Sequence, residues 1–170
     1  MPRNIEIKAR VAAMPELRRR AAALADEGPT EIAQDDTFFH CANGRLKLRA
    51  LSAGSGELIF YRRADDSGPK ESFYVLTATA DPDGLRDALT LAYGQSGRVI
   101  KQRTLYLVGR TRVHLDRVKD LGDFMELEVV LAEGESSDDG FAEATDLMAS
   151  LGIEESQLVE GAYVDLLGRT

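Results

Sequence analysis

The chain has 170 residues, long enough to bury a real core, and with 44% hydrophobic and 29% charged residues it reads as one soluble globular domain, which excludes wholesale disorder. A formal charge of -8 excludes an outer surface built for nonspecific nucleic-acid or anionic-membrane binding, because such surfaces need an excess of Lys and Arg. The single Cys41 excludes an intramolecular disulfide and argues against a thiolate zinc site.

In chain order, period-two alternation predicts a strand over residues 3–13, with Ile5, Ile7 and Ala9 on one face and Glu6, Lys8 and Arg10 on the other. Pro15 then opens a helix through Leu17, Ala21, Leu24 and Ala25 that is expected to end near Gly28-Pro29. Strands are predicted over 34–39, 45–51, 58–63 and 72–79, separated by turn-rich stretches such as Ala53-Gly54-Ser55-Gly56 and Asp65-Asp66-Ser67-Gly68-Pro69. A helix over 84–93 carries Leu85, Ala88, Leu89 and Ala92 on one stripe, and Gly94 is its natural stop. Strands over 98–108, 110–118 and 124–131 lead to an acidic turn at 134–140, where Asp138 and Asp139 read as caps for a helix over 141–151. A last helix is predicted over 155–167 from Leu158, Ala162 and Leu166. No apolar run resembles a signal peptide or approaches the roughly 18–20 residues of a spanning helix, so the expected location is the cytoplasm.

About eight strands joined by short turns point to antiparallel neighbours, and eight such strands are enough to close a barrel. Nearly every long strand carries an ionic row: Glu6, Lys8 and Arg10; Arg45, Lys47 and Arg49; Arg112, His114 and Asp116; Glu126 and Glu128. Two arrangements meet this pattern. Apolar rows inside would give an ordinary core and leave the amphipathic helices little apolar sheet to cover. Apolar rows outside would be buried by those helices, and the ionic rows would line a wet tunnel. That tunnel would hold Lys8, Arg10, Arg45, Lys47, Arg49, Lys101, Arg103 and Arg112, with Arg62 as a further candidate, against Glu6, Asp116, Glu126 and Glu128. Crowded like charges need a counter-charge in such a space, so a polyanion such as a triphosphate is implied for the cations and divalent cations for the acids.

These segments resemble the CYTH superfamily, the triphosphate tunnel metalloenzymes, over nearly the whole chain. Its Glu-x-Glu-x-Lys strand corresponds to Asn4-Ile5-Glu6-Ile7-Lys8, its Asp-Thr-aromatic-aromatic segment to Asp36-Thr37-Phe38-Phe39, and its basic strand to Arg45-Leu46-Lys47-Leu48-Arg49. Arg112-Val113-His114-Leu115-Asp116, followed by Gly122-Asp123-Phe124-Met125-Glu126-Leu127-Glu128, is most similar to the class IV adenylyl cyclase branch. The resemblance implies a single α+β domain over 1–170, an eight-stranded antiparallel tunnel with helices packed outside. It also implies Mg2+ or Mn2+ held by Glu6, Glu126 and Glu128, and phosphate oxygens gripped by Lys8, Arg10, Arg45, Lys47, Lys101, Arg103 and Arg112, joined by Arg62. Lys8, Glu126 and His114 are the catalytic candidates; His114 would orient a leaving group or shuttle a proton, although a structural histidine explains it as well.

Two departures stand out. Asn4 replaces the first acid of the hallmark and brings no charge to a metal. Phe38 and Phe39 stand where hydrolysing relatives often carry Tyr, and Arg62 where a Lys is expected, so a Lys/Tyr water-activating dyad is missing from those positions. The expected activity is conversion of ATP to cyclic AMP and pyrophosphate. A triphosphatase acting on inorganic or organic triphosphate, thiamine triphosphate included, is the alternative, and a noncatalytic polyphosphate or nucleotide sensor is a third. The expected partner is ATP or another triphosphate, with no nucleic acid and no membrane; a homodimer is compatible with the sequence.

Overall fold

The computed structural model describes residues 2–64 and 67–169; the turn expected at Asp65-Asp66 falls on residues outside this set. In chain order the elements are β1 (Arg3–Arg10), α1 (Met14–Leu24), β2 (Glu27–Phe39), β3 (Arg45–Ser52), β4 (Ser55–Arg63), β5 (Lys70–Thr79), α2 (Pro82–Tyr93), β6 (Gln95–Val108), β7 (Thr111–Val118), β8 (Gly122–Val130), α3 (Ser137–Ser150) and α4 (Tyr163–Leu167). The strands close into an antiparallel barrel in the order β1-β5-β4-β3-β2-β6-β7-β8. Closure leaves no sheet edge, and every strand finds hydrogen-bonding neighbours on both sides.

The alternation decides what lies inside. Ile5, Ile7 and Ala9 of β1, Val113 and Leu115 of β7, and Met125, Leu127 and Val129 of β8 point outward and are fully buried under Met14, Leu17 and Ala21 of α1 and Ala144 and Leu147 of α3. The hydrophobic core therefore sits between barrel and helices, and burial of this apolar sheet surface is what fixes the helices in place. The ionic rows face the barrel axis. A second cluster, Phe38, Ile59, Tyr61, Val99, Phe124, Tyr163 and Leu166, fills one end of the bore.

Three elements differ from expectation. β2 starts at Glu27, because β6 is fourteen residues long and pairs with it from Glu27 opposite Leu107 to Phe39 opposite Gln95. The partner strand thus claims residues that the sequence pattern assigned to the end of a helix. Gly28 sits there at a φ of +111°, and a Cβ would lie 2.7 Å from the Leu105 carbonyl oxygen, so no other residue fits without a shift. The cap of α3 is Ser136, whose hydroxyl accepts from the Asp138 amide at 3.3 Å, while Asp138 and Asp139 occupy the first turn. The last predicted helix is a short 3-10 turn at Glu155–Gln157, an extended stretch, and α4. The Leu158/Ala162/Leu166 spacing imitates a helix, but Leu158 bridges Ala9 of β1, the Val159 amide donates to the Lys8 carbonyl at 3.0 Å, and Gly161 turns the chain at a φ of +81°. Among the described residues no helix is long and apolar enough to cross a membrane.

Candidate functional site

The bore is a cavity of about 240 Å³. On the β1-β7-β8 side, register brings acids and bases face to face: Glu6 opposite Glu128, Lys8 opposite Glu126, His114 opposite Glu126 and Arg112 opposite Glu128. Lys8 Nζ lies 3.3 Å from Glu126 Oε1 and donates to the Gly161 carbonyl at 3.1 Å. From β6, Arg103 forks onto both Asp116 oxygens at 2.7 Å each and reaches Glu126 Oε2 at 3.1 Å. Arg112 donates through Nε to Glu128 Oε2 at 3.0 Å, and Glu6 is paired with Arg63 of β4.

Across the bore, β3, β2 and β6 gather cations around one carboxylate. Asp36, only 1% exposed, takes both nitrogens of an Arg49 fork at 2.8 and 2.9 Å, with Lys47 Nζ at 3.4 Å and Lys101 Nζ at 3.5 Å. Three cations share one anion. That surplus is tolerable in a partly wet bore and is relieved when a further anion enters.

The protonation states follow from burial and neighbours. Burial pushes Lys101 down to about 7, with Arg103 adding to the effect, and Lys8 down to about 8 despite Glu126. Burial, and then Arg103, lowers His114 to about 4, so its ring is neutral at pH 7. Against the cost of burial, Lys8 and Arg103 hold Glu126 well below the usual carboxylate range, and Arg49, Lys47 and Lys101 do the same for Asp36. Glu6 moves the other way: burial raises it, Arg63 opposes the rise, and Glu128 and Glu126 add to it.

The two ends of the bore differ. At one end the extended stretch before α4 and Tyr163 itself close the opening. The Tyr163 hydroxyl donates to Asp116 Oδ2 at 2.8 Å, its ring packs edge-on against Phe124 with centroids 5.0 Å apart, and Lys8 Nζ sits 4.1 Å from the ring centroid. At the other, Ile32, Glu57, Tyr74, Leu76 and Arg112 line the wall, and Leu76 is 47% exposed. This end of the bore thus has an aromatic and aliphatic rim around the charges.

Of the residues expected in the site, Glu6, Lys8, Lys47, Lys101, Arg103, Arg112, His114, Glu126 and Glu128 line the bore together. Arg10, Arg45 and Arg62 do not. Arg10 is exposed and lies over the Phe124 ring at 5.0 Å; Arg45, at the closed end, forks onto Asp165 at 2.9 and 2.5 Å. Arg62 points outward over Phe73 and Phe60, at 5.3 and 5.9 Å, and its neighbour Arg63 takes the inward position. Arg49, set near a tunnel mouth by its place in the basic row, is instead held deep in the wall by Asp36. Arg63, Asp36, Gln34 and Tyr163 are lining residues that sequence reasoning missed. The signal for Arg63 was register: Lys47 faces Ile59 and Arg45 faces Tyr61, so the inward set of β4 is 59, 61 and 63.

Residues suited to a divalent cation are present. His114, Glu126 and Glu128 each offer one ligand atom with all three atoms within 4.8 Å of one another. His114 Nδ1 is buried without a hydrogen-bond partner, and Asn4 Oδ1 and Gln34 Oε1 are likewise buried and orphaned in the bore. Unpaired donors and acceptors at such depth are costly unless something else meets them. The donor set therefore fits the group it would hold.

Comparison with known proteins agrees with this architecture. Adenylate cyclase CyaB of Aeromonas hydrophila is 26% identical over 167 residues, covering 94% of this chain and 86% of that protein. The structure of PH1012 from Pyrococcus horikoshii OT3 superposes with a TM-score of 0.85 at 24% identity, covering 96% of this chain and 98% of that one. HpAC1 from Hippeastrum, described as having a dominant triphosphatase activity, superposes with a TM-score of 0.68 at 17% identity, covering 98% of this chain and 95% of that one. At those identities the two structures speak for the fold alone. The family model for the CYTH domain matches residues 2–163, and with its ionic rows turned into a closed eight-stranded bore the chain belongs to the CYTH domain family.

Proposed function

We propose that this protein is a divalent-metal-dependent enzyme that binds a triphosphate in the bore, acting as one domain, and that its reaction is conversion of ATP to cyclic AMP and pyrophosphate. The observation that carries the proposal is the inward lining of an acidic chain: Lys8, Lys47, Arg49, Arg63, Lys101, Arg103 and Arg112 converge on one cavity beside Glu126 and Glu128. Phosphoryl chemistry asks for positioning and charge neutralisation, and this lining supplies both.

Lys47, Arg49 and Lys101 cradle the phosphate chain, exchanging part of their attachment to Asp36 for the new anion. Arg103 and Arg112 turn their remaining N–H groups to phosphate oxygens while still holding Asp116 and Glu128 in place. Glu126 and Glu128 would hold the divalent ion, which supplies Lewis-acid polarisation of the phosphate oxygens when bound. The ribose 3′-oxygen attacks the α-phosphorus, the bond from that phosphorus to the bridging oxygen breaks, and pyrophosphate leaves. The hydroxyl proton passes to a base, and Lys101, lowered to about 7, and Lys8, lowered to about 8 beside Glu126, are the lining groups suited to that task near neutral pH. A proton-shuttling imidazole is less well matched, because His114 is pushed to about 4.

A triphosphatase is the second reading. The placement of Lys8 against the Tyr163 ring favours it, since a lysine of lowered pKa beside a tyrosine can activate water even though the Lys/Tyr positions read from the sequence hold Phe and Arg. Incubation of the purified protein with ATP and with inorganic triphosphate, each with Mg2+ and with Mn2+, followed by product separation, distinguishes the readings. Cyclic AMP with pyrophosphate supports the first and orthophosphate the second. Tight binding without product overturns both in favour of a sensor.

A further inference from the structure

In the acidic wall one hallmark acid is missing and the three acids present are all ion-paired, Glu126 with Lys8 and Arg103 and Glu128 with Arg112. The first acid of the hallmark strand is Asn4, and the second, Glu6, is tied to Arg63. On the neighbouring strand an imidazole stands opposite Glu126 with one ring nitrogen unpartnered. His114 is 5% exposed, and its Nδ1 has no hydrogen-bond partner. That atom lies 3.8 Å from Glu128 Oε1, too far for a hydrogen bond. The same carboxylate uses its other oxygen, Oε2, for Arg112, which leaves Oε1 as the oxygen nearer to Nδ1. Two donor atoms bound to one ion at about 2.1 Å each are separated by roughly 3 to 4 Å. The gap is thus too wide for a hydrogen bond and fits an ion.

We propose that His114 Nδ1 is itself a metal ligand, completing with Glu126 and Glu128 a mixed nitrogen and oxygen site that selects a first-row transition ion over Mg2+. The inference rests on the metal-dependent reading above and deepens it. Mg2+ prefers hard oxygen donors and retains its water, whereas imidazole suits the later divalent ions, and Mn2+ accepts both donor types. A neutral imidazole in place of a carboxylate also suits a wall already crowded by Glu6, Glu126 and Glu128, since it adds a ligand without adding charge. Its position opposite Glu126 on β8 makes the site a product of strand register, held by two paired strands of the closed barrel.

The test is electron paramagnetic resonance on the full chain loaded with Mn2+, with and without inorganic triphosphate. Pulsed measurements are expected to show nitrogen-14 modulation from a directly bound imidazole in the unaltered protein and none in His114→Gln. That variant should still bind Mn2+ through Glu126 and Glu128, and the Mg2+ concentration needed to displace Mn2+ should fall about tenfold. Bound Mn2+ with no nitrogen modulation in the unaltered protein overturns the inference and leaves the metal-dependent reading standing, as does unchanged Mg2+ competition in the variant. Failure to bind Mn2+ under either condition overturns both. The modulation in the unaltered protein decides the matter even where the variant does not fold.

Discussion

The two walls of the bore solve opposite electrostatic problems. On the β3-β2-β6 wall, Lys47, Arg49 and Lys101 share the single carboxylate of Asp36; on the β1-β7-β8 wall, Glu6, Glu126 and Glu128 crowd together with Lys8, Arg103 and Arg112 interleaved. Strand order sets them against each other, since β3 and β8 are four strands apart in a ring of eight. One wall lacks anions and the other is crowded with them. In the proposed function a triphosphate with a divalent ion supplies what each wall wants. Each wall pairs its charges internally, and in that reading those pairs loosen when the ligand binds.

The largest expected effect tests the acidic wall. Glu126→Gln keeps the shape and the hydrogen-bonding oxygen but removes the charge that Lys8 and Arg103 balance, so turnover should fall on the order of 10³-fold with circular dichroism unchanged; near-full activity would detach chemistry from that wall. Next, Asp36→Ala strips Lys47, Arg49 and Lys101 of the carboxylate they share. The expected destabilisation is about 3 kcal/mol in urea melts, largely recovered in saturating inorganic triphosphate. Equal stability with and without the anion would mean that the wall is not waiting for one. A smaller effect separates neighbours: Arg63→Ala should weaken triphosphate binding about tenfold, about 1.4 kcal/mol, whereas Arg62→Ala should leave it unchanged by calorimetry.

The smallest effect is in protons. Lys101, at about 7, and Lys8, at about 8, are partly or mostly neutral in the empty bore at pH 8, and an entering polyanion raises both. Binding at pH 8 should then take up on the order of one proton per triphosphate, read as a dependence of the calorimetric enthalpy on buffer ionisation. Because the bound state holds more protons, affinity falls as pH rises from 7 towards 9. Zero uptake at pH 8 would show that the lysines remain charged throughout.

Where a strand alternates cleanly, its orientation was legible in the sequence. β1, β7 and β8 each keep one apolar and one ionic row, and the helices' need for apolar sheet turned the ionic rows inward, as found. β4 is different. Leu58 and Phe60 on one parity and Ile59 and Tyr61 on the other are all apolar or aromatic, so nothing local says whether Arg62 or Arg63 faces the bore. Only pairing with β3 settles it. Asp36 was hidden for a related reason: it stands in the polar run Gln34-Asp35-Asp36-Thr37, and its worth lies in partners on β3 and β6 that are distant in sequence. Tyr163 was hidden because the spacing of Leu158, Ala162 and Leu166 reads as one continuous helix, while the chain at Leu158 is extended against β1 and turns helical only from Tyr163 onward. The physical pattern alone reached a tunnel needing a polyanion such as a triphosphate and divalent cations; family resemblance supplied the choice of Mg2+ or Mn2+ and the expected reaction.

An acidic shell around a basic bore separates the speed of capture from its strength. A free polyanion approaching a molecule of charge -8 is repelled at long range, so added salt, by shortening the Debye length, should speed its arrival. Once inside, the same anion is held by Lys and Arg at contact distance, and salt weakens that hold. Association and affinity should therefore respond to ionic strength with opposite signs, and a triphosphate already carrying its divalent ion should meet less resistance on the way in than the bare anion.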